Sequence, residues 1–490
     1  MAYPTFEQVK VLSEGYDYVP VAMDELADTE TPVSVFLRFK DTSPYCFLLD
    51  SVEGGEKWAR YSFIGRDPIA TIRIRDKTAL MQYRDGTAEK IKGNPFRIVQ
   101  AMLDRFRSPR VEGMPRLPGG AVGYFSYDMA RSVERLPDPP PDDLGMPDCH
   151  FMIADEMIAF DHLRQKLTII VQMPVKGDLE VNYQQACERL ESISRVISGA
   201  RWKTDGRKPA AQAAGNQPQR NMSKEAYCDI VNRAKQYIVN GDIFQVVLSQ
   251  RQTVPFTADS FEVYRRLRVS NPSPYMFYLK FDSYTVAGAS PEMLTRCEGG
   301  VVETCPIAGT RPRGATPEED AALEAELMAD EKELAEHMML VDLGRNDIGK
   351  VSEFGSVKLT ELKRVLKYSH VMHICSTVQG RLRQGLTAFD ALMAVLPAGT
   401  LSGAPKIRAM EIIDELEPTR RGHYGGAIGY LSFDGNLDCC ITIRTILFKD
   451  GLAHVQAGAG IVADSVPESE YEESLSKAGA LLKALQEVGG

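Results

Sequence analysis

The chain has 490 residues, 25% of them charged, and a formal net charge of −10 at pH 7. This length suits about two to four domains or one large interleaved domain, and the acidic balance argues against a nucleic-acid partner. The N-terminus lacks a signal-peptide pattern, and no apolar run is long enough to span a bilayer, so we expect no membrane partner. Nine cysteines without a C-x-x-C spacing predict reduced thiols and a cytoplasmic location.

The first part of the chain contains several segments typical of strands. CFLLDSV, TIRIR, AVGYFSY and KLTIIVQM alternate or cluster apolar residues as strands do. Residues 136–147 and 199–220 are rich in helix and strand breakers. The second stretch has almost no large apolar residue, which predicts a linker or exposed loop. We place the main division there, between an N-terminal region 1–198 and a C-terminal region 221–490.

In the C-terminal region, predicted strands alternate with predicted helices. The strand-like segments are FQVVLSQRQTV, MFYLKF, YTVAGAS, GAIGYLSF, CCITIRTILF and AHVQAGAGIV. This mixture predicts an α+β fold, with antiparallel β-sheets packed as a sandwich and helices on the outside.

Two predicted helices contain the acidic residues that are candidates for a metal site. Thr316 with Glu319 has the spacing of a capping box and predicts a helix running to about Asp342. Ser465 with Glu468 has the same spacing before the last helix of the chain. We therefore expect one long helix in each place.

Each of these helices presents a pair of glutamates at i, i+3 spacing, which places both members on one face. Glu333 and Glu336 lie on the first helix, and Glu470 and Glu473 share a face with Lys477 on the last one. Carboxylates converging from two helices suit a hard cation such as Mg²⁺. The alternative is two solvated acidic faces, which is the usual explanation of an isolated E-x-x-E.

Three short segments of small residues could let backbone N–H groups approach an anion. They contain Gly309 and Thr310, Thr400, and 458–460. Taken alone, the last of these is better explained as a tight turn.

Three further positions have both a catalytic and a structural explanation. Arg444 lies in the middle of a predicted strand, where it needs a carboxylate partner from the protein or a ligand. Glu292 follows a predicted strand and could act as a general acid, or be an ordinary surface glutamate. His370 and His373 have H-x-x-H spacing without further zinc ligands nearby, so one structural and one surface histidine is the better interpretation.

Taken together, the chain resembles the chorismate-utilising enzymes, most closely their anthranilate synthase component I branch, from about residue 20 to residue 482. The segments that carry the resemblance are SNPSPYMFYL, GASPE, PIAGTRPRG, ELAEHMMLVDLGRND, VMH, GTLSGAPKIRAMEII, YGGAIGY, IRT, QAGAGIVADS and the final acidic helix. The resemblance implies the conversion of chorismate and ammonia to anthranilate and pyruvate, the first step of tryptophan biosynthesis.

The resemblance also implies roles for the acidic residues. Glu336 and Glu473 would bind Mg²⁺, with Glu333 and Glu470 beside the ion, and the ion would hold the ring carboxylate of chorismate. Glu292 would protonate the departing 4-hydroxyl while ammonia adds at C2.

The remaining implied site residues bind substrate or assist the second stage. His373 would assist the loss of pyruvate and aromatisation. The substrate-binding residues would be Gly309, Thr310, Thr400, Tyr424, Arg444, Gly458, Ala459, Gly460 and Lys477.

Two positions discriminate among related enzymes. Gln245 stands where isochorismate and salicylate synthases have a lysine that activates water, and Ala308 stands where aminodeoxychorismate synthases typically have lysine. Both favour ammonia addition and anthranilate. The alternatives are an aminodeoxychorismate synthase component I and a non-catalytic tryptophan-binding regulatory subunit.

The N-terminal region resembles the family's regulatory region. Ser51, Pro274, Tyr275 and Met276 match the tryptophan-binding feedback site, whereas Asp50 replaces the usual glutamate. The resemblance further implies assembly with a glutamine amidotransferase subunit that supplies ammonia, as a heterotetramer.

Overall fold

The computed structural model describes residues 2–51, 60–199, 218–368 and 371–489. Its strands in chain order are β1 (Tyr18–Leu26), β2 (Cys46–Asp50), β3 (Tyr61–Arg66), β4 (Ala70–Arg75), β5 (Thr78–Tyr83), β6 (Ala88–Lys92), β7 (Gly120–Phe125), β8 (Cys149–Ala154), β9 (Glu156–Asp161), β10 (Lys166–Pro174), β11 (Gln219–Arg220), β12 (Gln245–Pro255), β13 (Tyr275–Phe281), β14 (Tyr284–Ser290), β15 (Met293–Glu298), β16 (Val301–Thr304), β17 (Ile307–Pro312), β18 (Lys358–Lys367), β19 (Val371–Arg381), β20 (Gly403–Ala404), β21 (Ala427–Ser432), β22 (Leu437–Ile441), β23 (Thr445–Lys449) and β24 (Leu452–Ile461).

The helices are α1 (Phe6–Leu12), α2 (Pro32–Phe39), α3 (Pro95–Leu103), α4 (Leu179–Ile197), α5 (Lys224–Val239), α6 (Ser260–Ser270), α7 (Pro317–Ala329), α8 (Glu331–Gly349), α9 (Ala388–Val395), α10 (Gly399–Ser402), α11 (Lys406–Leu416) and α12 (Pro467–Gly489), with 3₁₀ turns at Asp104–Phe106 and Tyr127–Ser132. Within the described ranges, no helix is long and apolar enough to cross a membrane.

The strands form two 12-stranded sheets, and the recorded pairings are antiparallel. The first sheet has the order β1-β10-β9-β3-β2-β13-β14-β23-β24-β12-β11, with β20 beside β12. The second has the order β17-β19-β16-β15-β22-β21-β7-β8-β4-β5-β6, with β18 beside β19. Because β2 pairs with β13 and β7 pairs with β21, each sheet contains strands from both sides of residues 199–220.

The two sheets pack face to face, and helices cover their outer faces, so the predicted α+β sandwich is confirmed. Alternation along β2 sorts its side chains: Phe47 points into the core between the sheets, whereas Cys46 and Leu48 belong to the core beneath the outer helices. Residues that meet between the sheets include Phe63, Phe277 and Val286 from the first and Val122, Tyr124, Ile428 and Cys440 from the second.

The predicted helix from Thr316 to about Asp342 is wrong in its continuity. Helix α7 ends at Ala329, and the carboxylate of Asp330 accepts hydrogen bonds from the N–H groups of Lys332 and Glu333, starting α8 as a new helix. Because of this break, the direction in which Glu333 and Glu336 point is set by the axis of α8 and not by that of α7.

The last helix begins one residue later than its predicted capping box requires. Glu470 N–H donates to the carbonyl of Val466, which makes Pro467 the first helical residue. Ser465 instead accepts a hydrogen bond from Val462 N–H through its hydroxyl.

Two other predictions concern residues that lie outside the described ranges. They are most of the predicted 199–220 linker and His370; within that linker, Gln219–Arg220 form β11.

Candidate active site

Glu292 lies where the chain crosses from one sheet to the other. Strand β14 ends at Ser290 in the first sheet, and β15 begins at Met293 in the second. The crossing is fixed by Ile441, whose N–H donates to the carbonyl of Glu292 and whose carbonyl accepts the hydroxyl of Ser290. Glu292 is only 8% exposed, so the surface-glutamate interpretation is wrong.

The environment of Glu292 favours its protonated form. Burial raises the pKa of this carboxyl to about 8, opposed by the hydroxyl of Thr400 and the charge of Lys477. Thr400 Oγ1 donates to Glu292 Oε1 at 3.0 Å. A carboxylic acid that holds its proton at neutral pH can deliver it to a departing group.

Arg444 occupies a second crossing between the sheets, and its predicted position in mid-strand is wrong. Strand β22 ends at Ile441 in the second sheet, β23 begins at Thr445 in the first, and Arg444 lies between them with φ 51°. Its Nη1 donates to the carbonyl of Lys477 at 3.0 Å. Burial lowers the pKa of the guanidinium, although arginine stays charged.

Tyr424 is buried beside this arginine. Burial raises the pKa of its phenol to about 12, while the nearby charges of Arg421 and Arg444 oppose the rise. Tyr424 therefore remains a neutral hydroxyl that can donate or accept a hydrogen bond.

His373 and Thr310 face each other across β17 and β19. His373 Nδ1 lies 3.0 Å from both Thr310 Oγ1 and the carbonyl of Gly309. Gly309 has φ 68° at a bulge in this pairing, a conformation that suits glycine. Burial, with a smaller effect of Arg444, lowers the pKa of His373, so its imidazole is neutral and can accept a proton.

The first carboxylate pair faces β12 and β17. Gln245 Nε2 donates to Glu336 Oε1 at 2.9 Å, and Arg311 Nη1 lies 3.7 Å from Glu333 Oε1. Burial raises the pKa of Glu333, and the charges of Glu336 and Asp330 raise it further. Like charges are thus held close together on a partly buried face.

The second pair lies on α12. Lys477 Nζ is 2.6 Å from Glu473 Oε1 and 3.2 Å from the carbonyl of Gly458. Burial raises the pKa of Glu470; Glu473 adds to the rise, whereas Lys332 on α8 opposes it. Lys332 belongs to the first turn of α8, so the charge of that helix start acts on the carboxylates of α12.

These acidic residues do not form a closed metal site. Across the ranges that the structure describes, no three His, Cys, Asp or Glu side chains converge in an arrangement that could hold a metal ion.

The small residues 458–460 lie inside β24, so the tight-turn interpretation is wrong. A Cβ on Gly458 would come within 2.4 Å of the carbonyl oxygen of Leu248, and one on Gly460 within 2.7 Å of Gln245 Nε2. The backbone of β12 therefore requires glycine at position 458, whereas at position 460 the space beside the strand is taken by the side-chain amide of Gln245.

Ser51, Pro274, Tyr275 and Met276 line a separate cavity of about 60 Å³ between the two sheets. Ser51 Oγ donates to the carbonyl of Pro274 at 2.6 Å, and the hydroxyl of Tyr275 donates to Asp438 at 2.9 Å. The predicted effector residues are thus brought together, apart from the Glu292 region.

Asp50 borders this cavity but makes its contacts on the side of α6. Its carboxylate accepts from Arg268 Nε at 2.7 Å and from the hydroxyls of Ser62 and Tyr264 at 2.5 and 3.4 Å. The N–H of Ser51 also donates to it at 3.1 Å, so the shorter side chain is held in place by four donors.

Sequence reasoning missed a buried ion pair that lies beneath the site. Arg421 donates to the carbonyls of Leu401 and Val247 at 2.6 and 2.7 Å and pairs with Glu417. Helix α11 ends at Leu416, so Glu417 and Arg421 lie outside it and no helical spacing in the sequence could have revealed the pair.

Comparison with known proteins shows the family to which the chain is similar. A family model described as chorismate binding enzyme matches residues 44–483. The chain is 57% identical to anthranilate synthase component 1 of Acetivibrio thermocellus, with 100% of this chain and 99% of the relative covered. It is 47% identical to anthranilate synthase component 1 of Pseudomonas aeruginosa, with 98% of each covered.

Solved structures are also similar. Anthranilate synthase component I from Streptococcus pneumoniae TIGR4 superposes with a TM-score of 0.76 at 37% identity, covering 93% of this chain and 98% of that one. The menaquinone-specific isochorismate synthase MenF from Escherichia coli has a TM-score of 0.70 at 19% identity, with 98% of each chain covered, which shows a shared fold.

Proposed function

The chain belongs to the anthranilate synthase component I family of chorismate-binding enzymes, and from that premise we propose that it converts chorismate and ammonia to anthranilate and pyruvate. The observation that carries the proposal is the buried acid Glu292, which holds its proton near neutral pH and lies 3.0 Å from Thr400. This chemistry belongs to the biosynthesis of tryptophan.

In this reaction Glu292 gives its proton to the departing 4-hydroxyl as ammonia adds at C2. Thr400 positions the acid through its hydrogen bond. His373, neutral and oriented by the Gly309 carbonyl, assists the loss of pyruvate and aromatisation in the second stage.

Substrate carboxylates meet the cationic side of the site. Arg444 offers a guanidinium suited to bidentate binding of a carboxylate, and Tyr424 a neutral hydroxyl. The other residues that we assign to substrate binding are Gly309, Thr310, Thr400, Gly458, Ala459, Gly460 and Lys477.

The donor chemistry of the two carboxylate pairs fits Mg²⁺. Glu333 and Glu470 have raised pKa values because they are partly buried near like charges, a repulsion that a divalent cation relieves. We assign Glu336 and Glu473 as direct ligands and Glu333 and Glu470 as supporting carboxylates that act through water. The ion would neutralise the ring carboxylate of chorismate and draw charge from the ring.

The two discriminating positions support ammonia as the nucleophile. Gln245 is buried and bonded to Glu336, and Ala308 is buried opposite Ile374. Neither position offers an amine that could activate water or attack C2.

Ammonia comes, in our proposal, from a separate glutamine amidotransferase subunit in a heterotetramer, as the name component 1 of the relatives suggests. We assign residues 1–198 to a regulatory region and 221–490 to a catalytic region. The nine cysteines are free, which suits a cytoplasmic enzyme.

Tryptophan inhibits through the cavity at Ser51 in this scheme. The cavity is lined by Pro274, Tyr275 and Met276 from the first sheet and its margin and by Tyr430 and Cys440 from the second. An aromatic amino acid there would contact both sheets.

The deciding experiment is an ammonium-dependent assay with chorismate and Mg²⁺, with and without tryptophan. Fluorescent anthranilate, identified by its mass, is the expected product. Aminodeoxychorismate instead would identify the related synthase, and tryptophan binding without turnover would identify a regulatory subunit.

Glu336→Ala and Glu473→Ala should abolish activity. Glu472→Gln is the matched control, because Glu472 is exposed and ion-paired to Lys224. Full activity in Glu473→Ala would refute the metal assignment.

A further inference from the structure

A small cavity connects Glu292 with a buried ion pair that the reaction described above does not use. The cavity has a volume of about 40 Å³, and its polar lining includes Glu292, Thr400 and Asp347. Its other walls are largely apolar and include Leu340, Leu343 and Val395. This volume holds one or two water molecules, which need polar partners such as these carboxyl and hydroxyl groups.

Asp347 joins the cavity to the surface. It is 4% exposed and lies between two lysines, with Lys406 Nζ at 2.5 Å and Lys350 Nζ at 3.0 Å. The side chain of Lys350 is 50% exposed, whereas that of Lys406 is enclosed and also donates to the carbonyl of Val395. A chain of polar groups therefore leads from solvent at Lys350 through Asp347 to the cavity.

The buried pair is suited to passing a proton. Burial lowers the pKa of the Lys406 ammonium, opposed by the charges of Asp347 and Glu134 and assisted by that of Lys350. An ammonium with a lowered pKa gives its proton to the neighbouring carboxylate more readily than a solvated lysine does. A role in holding α11 against α8 explains the ion pair, but not the cavity that connects it to Glu292.

The reaction requires Glu292 to be reprotonated in every cycle. In each turnover the O–H bond of Glu292 breaks and its proton leaves with the 4-hydroxyl as water, so the carboxylate must form a new O–H bond before the next cycle. Ammonia that has added at C2 loses one proton as the amine becomes neutral. The overall balance is therefore zero, but the proton is released at one position of the substrate and required at another.

We propose that Glu292 regains its proton through the cavity, from Asp347 and Lys406, which are recharged from solvent beside Lys350. The inference rests on the proposed function, since it assumes that Glu292 is the acid. It makes Asp347 and Lys406 relay residues, which do not touch the substrate.

The test separates the first turnover from later ones. Wild-type Glu292 starts protonated, so a blocked relay leaves the first turnover, measured with enzyme in excess over chorismate, unchanged. Steady-state kcat should fall by about a hundredfold or more, the size of effect typical of a lost proton-transfer group. Its solvent isotope effect should become larger. The variant is Asp347→Asn combined with Lys406→Met, which removes both charges together and leaves neither buried alone.

Two further variants keep the test interpretable. Asp342→Asn changes an exposed carboxylate on the same helix, paired with Arg345, and should behave as wild type. Val395→Met fills the cavity with a flexible side chain while leaving both charges in place, and should also slow only the later turnovers. Thermal unfolding checks that each variant is folded; if the double variant is not, the cavity-filling variant decides.

Unchanged steady-state kcat in the folded double variant or in Val395→Met would overturn the relay. Equal slowing of the first and later turnovers would also overturn it, because that result indicates a positioning role. If the relay is overturned by either result but Glu292→Gln is inactive, the proposed function is still supported. Full activity in Glu292→Gln, or no anthranilate from the wild type, would instead refute the proposed function.

Discussion

Arg421 and Glu417 form an ion pair that is closed to solvent, with Nη2 and Oε1 2.6 Å apart and side chains 1% and 2% exposed. The guanidinium also binds the carbonyl of Leu401, next to Thr400, and the carboxylate accepts from the N–H and hydroxyl of Ser249. The pair thus joins α10 to β12 beneath the site.

Replacing Arg421 by methionine leaves the carboxylate of Glu417 buried without its partner. We expect a loss of about 3–5 kcal/mol in the free energy of unfolding, measured by urea denaturation. Arg408→Met is the control, since Arg408 is partly exposed and its ion pairs lie at the surface. A loss no larger than that of the control would contradict the prediction, and adding Glu417→Leu should recover part of the stability.

The rate of anthranilate formation should depend on the protonation of Glu292. Because the acid acts in its protonated form, and because kcat/KM reports the ionisation of the free enzyme, kcat/KM should fall as the pH rises through the Glu292 pKa of about 8. In Thr400→Val the hydrogen bond that lowers this pKa is gone, so the alkaline limb should move to higher pH. A limb that stays in place would argue against Glu292 as the titrating group.

The same carboxyl should make stability depend on pH. Its folded-state pKa is raised above the unfolded value, so the wild type loses stability between about pH 4.5 and pH 8, relative to an uncharged side chain. Glu292→Gln should therefore gain stability over wild type across that window and keep a constant advantage above it. Urea titrations at pH 5 and pH 8 measure the difference; equal values at both would refute the burial effect.

Ser51→Phe should remove feedback inhibition while leaving turnover intact. An added phenyl ring fills much of a cavity of about 60 Å³ and excludes an aromatic ligand. The tryptophan concentration for half-inhibition should rise about tenfold or more, the scale of a built-in clash, with kcat unchanged in its absence. Inhibition identical to wild type would place the effector elsewhere.

Gln245→Lys should weaken the enzyme's response to Mg²⁺. The ammonium would take the place of the amide beside Glu336, now 2.9 Å away, and compete with the cation for the carboxylate. We expect the Mg²⁺ concentration for half-maximal activity to rise. Gln236→Lys, with the same charge change at an exposed position on α5, should leave it unchanged.

Local features of the site could be predicted from the sequence because they depend on local spacing. The pairing of Glu473 with Lys477 follows from i, i+4 geometry, and Glu292 lies at a strand end as its flanking residues indicate. The contact of Gln245 with Glu336 joins residues 91 positions apart, and no local pattern encodes it.

The wrong boundaries have physical causes. CCITIRTILF is uniformly strand-forming, and a non-glycine residue with positive φ, such as Arg444, has no marker in sequence. The segment around Asp330 is rich in helix formers, which hid the cap that divides it.

Two of the places where the chain passes from one sheet to the other set a mechanical condition on the active site. Glu292 and Arg444 each lie in a short connection that joins a strand of the first sheet to a strand of the second. Packed sheets resist compression and move as units, so any sliding or wedging of one against the other displaces acid and guanidinium together. The Ser51 cavity lies in that same seam, with Met276 from one sheet and Cys440 from the other among its walls. A molecule bound in this cavity would therefore change the distance between the two sheets, and the same distance determines where Glu292 and Arg444 lie.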